Sequence, residues 1–257
     1  MFDFSAYSAI LLDLDGTLYK SDQPLEGGVD LLRRLASQGK TVACPTNATE
    51  SPDRLSTRLS GMGIDMPASR IFTAAEAAVN FCLEKFPSRR FYNLATQGVA
   101  DMLTGRSIVV QDQHEPCDAV IIGNPECVYA TPPRLSAGAC LLRQGAACIG
   151  ICNDRAYPSP HGLEIGSGAM TRMLAYAADV NPIFFGKPQK HFLDQICHRL
   201  NVSPRNCIMI GDNLDSDIAG AKAAGMATIL VLTGVSSRAD IPSHGAPDWV
   251  VDDLSKL

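Results

Sequence analysis

The stretch Ile10-Leu11-Leu12-Asp13-Leu14-Asp15-Gly16-Thr17-Leu18-Tyr19 decides the fold. Its apolar run predicts a buried strand, and the two aspartates at its end constrain the chemistry. Residues two apart in a strand share a face, so the spacing predicts that Asp13 and Asp15 emerge together at the carboxyl end while Leu12 and Leu14 point away. About 4 Å apart at an effective dielectric near 20, two such charges repel by about 4 kcal/mol. A cation, a shared proton or both must relieve them. Gly16 follows, where the backbone can reverse tightly.

Three later segments supply what the pair lacks. Thr41-Val42-Ala43-Cys44-Pro45-Thr46-Asn47 reads as an apolar strand ending in a hydroxyl and an amide, both donors to an anionic oxygen. Phe184-Phe185-Gly186-Lys187-Pro188 sets a single lysine at the mouth of a loop, and Pro188 holds the preceding residue out of the helical region. Cys207-Ile208-Met209-Ile210-Gly211-Asp212-Asn213-Leu214-Asp215-Ser216-Asp217 reads as a buried strand, a glycine and a carboxylate cluster that opens a helix. Each segment alone is ordinary; their order and their strand-end placement carry the weight.

Around these segments the hydrophobic period alternates. Helices are predicted at 29–37 and 53–60, with a strand from Thr41 between them, and strand–helix–strand order implies parallel pairing with a right-handed crossover. A second alternation occupies residues 76–181, with strands at 91–94, 107–110, 118–123 and 147–152 and helices at 99–103, 133–143 and 170–178. The first pattern then resumes with Ile183–Phe185, a helix at 190–200, strand 207–210, helix 218–224 and strands 227–232 and 249–251. The fold class is therefore α/β: a doubly wound, Rossmann-like parallel-sheet core over 1–75 and 182–257, with an inserted α/β domain over 76–181. In such a sheet ligands bind at the carboxyl ends of the strands near the switch point, where Asp13, Thr46, Lys187 and Asp212 are all expected. Asp13, Asp15, Asp212 and Asp217 face one lysine, so a divalent cation is expected, and an all-oxygen donor set suits Mg²⁺ rather than zinc.

The four segments resemble the four signatures of the haloacid-dehalogenase-like hydrolase superfamily, above all its sugar-phosphate, nucleotide and p-nitrophenyl phosphatases with a large α/β cap. The similarity runs from Ile10 to Pro247-Asp248-Trp249-Val250-Val251-Asp252, and includes Asn153-Asp154-Arg155-Ala156-Tyr157-Pro158 and Gly166-Ser167-Gly168-Ala169. Two departures stand out: Ala48 where that family usually has a second Asn, and Cys44-Pro45 before the threonine. The resemblance implies a Mg²⁺-dependent phosphatase of small phosphate monoesters in which Asp13 attacks phosphorus to give an aspartyl-phosphate and Asp15 serves as general acid and base. It further implies that Asp13, Asp212 and the main-chain carbonyl of Asp15 hold the metal, with Asp217 orienting a bound water. Thr46 and Asn47 would donate to the phosphoryl oxygens and Lys187 would offset charge. Specificity would fall to the inserted cap, where Asn153, Asp154 and His161, on a loop after a cap strand, are candidate readers of the leaving group. Gly166-Ser167-Gly168 is read as a helix start, His191 and His198 as non-catalytic, and Asp215 as a charge at a helix start.

Composition sets the exclusions. A chain of 257 residues with 46% hydrophobic content can bury a substantial core. A formal charge of −5 without a Lys/Arg run argues against a nucleic-acid partner, and no apolar stretch approaches the roughly 18 residues of a membrane span. Met1-Phe2-Asp3-Phe4 has no basic leader, so a cytoplasmic protein acting on a small phosphorylated metabolite is expected, a homodimer being left open. The nine cysteines, at 44, 82, 117, 127, 140, 148, 152, 197 and 207, form no Cys-x-x-Cys pair and are expected to be reduced core thiols. A phospho-accepting receiver module would need about half this length, a dehalogenase would not need the second aspartate or the acidic loop, and a silent binding protein would be expected to lack one of Asp13, Asp15, Lys187 or Asp212. Phosphoryl transfer to an acceptor other than water stays open.

Overall fold

The computed structural model describes residues 2–126, 128–159, 162–241 and 245–257. The chain forms two compact units: Met1–Thr46, Leu55–Phe72 and Lys187–Leu257 make the first, Asn47–Arg54 and Thr73–Gly186 the second.

A six-stranded sheet organises the first unit, in the order Trp249–Val251, Ala227–Val231, Cys207–Gly211, Ala9–Leu12, Thr41–Thr46, Ile71–Thr73. Ala9–Leu12 is fully buried and lies parallel between Cys207–Gly211 and Thr41–Thr46, as a continuous apolar run covered on both faces should. From this central strand the chain builds outward through Thr41–Thr46, then later through Cys207–Gly211 on the other side. The order reverses between Ala9–Leu12 and Cys207–Gly211, and that reversal opens the crevice at their carboxyl ends. Helix Gly28–Ser37 buries Leu31 and Leu35, one turn apart on one face. Helix Lys190–Leu200 buries Phe192, Leu193, Ile196 and Cys197 by the same period.

In the second unit a five-stranded sheet runs in the order Ile183–Phe184, Ala147–Gly150, Ala119–Ile122, Arg90–Leu94, Ile108–Val109, with every pair parallel. Alternate residues feed two apolar layers: Phe91, Ala119 and Ile121 enter one, Tyr92, Val120 and Ile122 the other. Helices Ala74–Lys85, Gln97–Leu103, Pro132–Arg143 and Ser167–Ala178 belong to this unit.

Several elements differ from expectation. Ile183–Phe184, assigned from sequence to the core, pairs instead with Ala147–Gly150 at the edge of the second unit's sheet. Its two residues give no periodicity by which to choose a sheet. Strand Ile71–Thr73 and helix Ala74–Lys85 went unanticipated; the helix is alanine-rich, so its buried face carries little hydrophobic contrast, and Thr73 caps it by accepting the Glu76 N–H at 2.9 Å. The expected loop 153–161 is partly a hairpin, Ala156–Ser159 pairing antiparallel with Gly162–Ile165. Gly162–Ile165 is exposed throughout, so no apolar alternation marked it as a strand. Cys140 is exposed and Cys117 half-buried, so these two are not core thiols, whereas Cys44, Cys82, Cys148, Cys152, Cys197 and Cys207 are buried and Cys127 lies outside the described residues. Among the described residues no helix is long and apolar enough to cross a membrane.

Candidate active site

Strand register brings the acidic residues together. Leu12 pairs with Ile210 in the parallel ladder, so Asp13 leaves one strand beside the Gly211-Asp212 end of the other, and the Asp13 N–H still donates to the Ile210 carbonyl at 2.9 Å. Asp217 returns to the same place from the single wide turn Leu214–Ile218 that precedes helix Ala219–Ala224. One oxygen from each of Asp13, Asp212 and Asp217 lies within 4.8 Å of the others, and all three side chains are buried. Lys187, 2% exposed, bonds Asp13 and stands 2.6 Å from Asp217. Three carboxylates against one ammonium leave about two negative charges unbalanced in a buried crevice, a strongly unfavourable state unless a cation or protons offset it.

The titrations follow from this crowding. Burial pushes the Asp13 carboxyl well above the usual range, the Lys187 ammonium pulls it down, and Asp217 and Asp212 raise it further. Asp212 is pushed up to about 6 by burial and by Asp217, against the opposing Val235 N–H and Lys187. For Lys187 burial disfavours the charged form, but Asp13 and Asp217 prevail and its pKa rises, so it stays an ammonium. Cys44 is buried within the field of Asp13 and Lys187; burial raises its thiol, followed by the Asp13 charge, so it stays protonated and does not compete as a nucleophile.

Asp15 is set apart from this cluster. It lies past the end of the strand, exposed, beside the small hairpin Tyr19–Lys20/Gln23–Pro24. Its carboxylate is not one of the three clustered ligand groups. Partial enclosure raises its pKa, while the Arg58 guanidinium and the Gly16 N–H lower it. Arg58 also donates to the Ser21 carbonyl at 2.8 Å and covers the Tyr19 ring at 5.0 Å, fixing the hairpin that follows Asp15.

Several supports of Asp212 escaped the sequence reading. The Val235 N–H donates to its Oδ2 at 2.6 Å, the Ser236 N–H donates to its main-chain carbonyl at 3.0 Å, and the Thr17 hydroxyl reaches its Oδ1 at 3.5 Å. The Asn213 N–H donates to Asp217 Oδ2 at 3.1 Å. Glycines make room: a Cβ on Gly234 would lie 1.9 Å from Asp212 Oδ2, and one on Gly211 would lie 2.3 Å from Asp217 Oδ2. The signal in the sequence was the Thr233-Gly234-Val235-Ser236 run after the strand Ala227–Val231.

Thr46 is buried at the end of its strand, in the first unit. Asn47 belongs to the second unit, where its Nδ2 donates to both carboxylate oxygens of Asp154 at 3.1 Å. The expected phosphate donor and the expected leaving-group reader are thus bonded to each other. Asn153 accepts from Arg172 Nη2 at 2.9 Å, and His161 lies outside the described residues. The glycines flanking Ser167 serve the Asn153-Asp154 turn as well as the helix start, since a Cβ at Gly166 or Gly168 would come within 2.4 Å of that turn's backbone. His191 and His198 are exposed on the outer side of their helix, and Asp215 is an exposed residue of the turn capped by Asn213.

A haloacid dehalogenase-like hydrolase family model matches residues 10–108 and a second, HAD-hydrolase-like model matches residues 184–257. The acid sugar phosphatase of Staphylococcus saprophyticus is 31% identical over 98% of this chain and 96% of its own length. The chain belongs to the haloacid dehalogenase-like hydrolases. Among solved structures, the 4-nitrophenylphosphatase of Thermotoga maritima superposes with a TM-score of 0.90 at 28% identity, covering 99% of this chain and 97% of that one. The glycerol phosphate phosphatase of Mycobacterium tuberculosis in complex with magnesium gives a TM-score of 0.87 at 27% identity, covering 99% of this chain and 78% of that one. As an enzyme the chain is a phosphoric monoester hydrolase.

Proposed function

We propose that the protein hydrolyses a small phosphate monoester, such as a sugar or polyol phosphate, a nucleotide or phosphoglycolate, through an aspartyl-phosphate on Asp13, with Mg²⁺ as cofactor. The observation that carries the reading is the buried triad Asp13, Asp212 and Asp217 closed by a single lysine at the sheet's switch point. The donor set fits Mg²⁺: it is all oxygen, and oxygens of one octahedral shell lie roughly 3–4 Å apart for bonds of about 2.1 Å, in keeping with a cluster spanning 4.8 Å or less. The carboxylates of Asp13 and Asp212 would hold the ion, with Asp217 and the main-chain carbonyl of Asp15 beside it. When bound, it supplies positive charge against the phosphate dianion.

The remaining work falls to this chain's own groups. Asp13 Oδ attacks phosphorus in line and the bond to the leaving oxygen breaks; the carboxylate divides one hard displacement into two easier ones. Asp15, outside the triad and with a raised pKa, gives its proton to the leaving oxygen and then takes one from the attacking water. Thr46 donates to a phosphoryl oxygen, and Lys187 holds the nucleophile in place while offsetting its charge. Choice of leaving group belongs to the second unit. It has a polar cavity of about 280 Å³ lined by Glu50, Gln97, Asn124, Glu126 and Tyr157 among others.

The test is release of inorganic phosphate from a panel of nucleoside monophosphates, sugar and polyol phosphates, phosphoglycolate and p-nitrophenyl phosphate, with Mg²⁺ and with EDTA. Turnover of at least one metabolite that Mg²⁺ restores after EDTA is expected. Turnover unaffected by EDTA would remove the metal from the reading.

A further inference from the structure

Two thiols away from the active site meet in the first unit. Cys197 Sγ lies 3.7 Å from Cys207 Sγ, with both side chains buried, and no other cysteine pair makes such a contact among the described residues. Cys197 sits on the inner face of helix Lys190–Leu200 and Cys207 opens the strand Cys207–Gly211. The connection is short and local: Asn201, at a φ of 54°, ends the helix, and the single turn Pro204–Asn206 leads into the strand. Core packing alone would account for two small apolar side chains here. It does not account for their chemistry. Cys207 has a second acceptor in the Ser203 carbonyl at 3.3 Å, and its hydrogen bond to Cys197 lowers the Cys197 pKa against the effect of burial while raising that of Cys207. Either sulfur can donate to the other, so the two thiols can share a proton across the contact.

We propose that Cys197 and Cys207 are a peroxide-sensitive pair that forms a reversible intramolecular disulfide. The Cys197 thiolate attacks one oxygen of the peroxide, the O–O bond breaks, and the departing hydroxide takes a proton and leaves as water, giving a sulfenic acid at Cys197. Cys207, losing its proton, attacks that sulfur; the S–O bond breaks and the second water leaves. Two thiols give up two electrons and two protons, and the peroxide is reduced to two waters. To form the bond the sulfurs must close from 3.7 Å to roughly 2.05 Å. The new bond ties the helix that follows Lys187 to the strand that leads to Asp212. Cys207 precedes Asp212 by five residues of extended chain, about 16 Å, so the bond should brace the unit without entering the crevice.

The full-length protein, kept folded, is treated with dilute hydrogen peroxide, alkylated and digested for peptide mass spectrometry, with unfolding temperature measured in parallel. A cross-linked Cys197/Cys207 peptide two hydrogens lighter than its parts, released by dithiothreitol, is expected, together with a reversible rise of a few degrees in unfolding temperature. Alkylation of both cysteines after peroxide, a bond from either one to a third cysteine, or a cross-link that forms only in denaturant would overturn the proposal.

Discussion

The carboxylate cluster of the first unit and the exposed hairpin of the second are built under opposite constraints. Around Asp212 and Asp217 a single added carbon on Gly234 or Gly211 would lie within 2.3 Å of a carboxylate oxygen, and every clustered acid is buried. On the hairpin Ala156–Ser159/Gly162–Ile165, Leu163 is 81% exposed and Ile165 59%. The first region holds charges where water would not leave them, so its neighbours are fixed atom by atom. The second leaves apolar side chains in solvent, where folding does not need them. The contrast separates a region that tolerates almost no substitution from one whose exposed side chains can vary with little cost to the fold.

The largest expected effect breaks the first region at its centre. Asp13→Asn should lower turnover of p-nitrophenyl phosphate by on the order of 10⁴ or more, since the amide is nearly isosteric but cannot attack. The fold should be retained, because a charge leaves a repelling cluster, and calorimetry should show no loss of unfolding temperature. Residual activity above about a hundredth of wild type would contradict the role.

A pair of glycine substitutions sharpens the comparison next. Gly234→Ala should reduce turnover by at least about tenfold and raise the Mg²⁺ requirement, because its Cβ would lie 1.9 Å from Asp212 Oδ2. Gly61→Ala, near the end of a helix with nothing within 4 Å, should leave kinetics unchanged and stabilise the protein by roughly 0.5–1 kcal/mol. Equal kinetic losses in the two variants would mean that packing around Asp212 does not matter.

Proton linkage tests the same region without touching the hairpin. Asp212 keeps its proton to about pH 6 in the folded protein, whereas an unfolded aspartate releases it near 3.9. Between those values the folded state binds more protons, so this group's contribution to stability falls as pH rises from about 4 through about 6. Metal-free protein should therefore unfold at a higher temperature at pH 5 than at pH 7, and Asp212→Asn should flatten that slope. An unchanged slope in the variant would place the titration elsewhere.

The smallest effect belongs to the hairpin. Leu163→Ala should change stability by less than about 0.5 kcal/mol, since little of the side chain is removed from water in the fold. KM for the preferred substrate should shift more than KM for p-nitrophenyl phosphate. A large stability loss would show that the hairpin is packed rather than poised.

The same contrast explains what could be read in advance. Ala9–Leu12, Cys207–Gly211 and Asp212 were legible because buried parallel strands are continuous apolar runs and their polar ends are conspicuous. The hairpin was not, because its exposed strand shows no apolar alternation, and Ile183–Phe184 was misassigned because two residues carry no period. Nor could sequence show that Asn47 would bond Asp154, 107 residues away, or that Val235 and Gly234 would enclose Asp212. Such contacts depend on where distant loops meet.

The covalent role of Asp13 is tested most directly by trapping. Asp15→Asn protein, slowed in releasing the phosphoryl group to water, is mixed with p-nitrophenyl phosphate, quenched and reduced with borohydride, which converts an aspartyl-phosphate to homoserine. Peptide mass spectrometry should find homoserine at position 13 only when substrate was present. An intact Asp13, or reduction at any other carboxylate, would contradict the account.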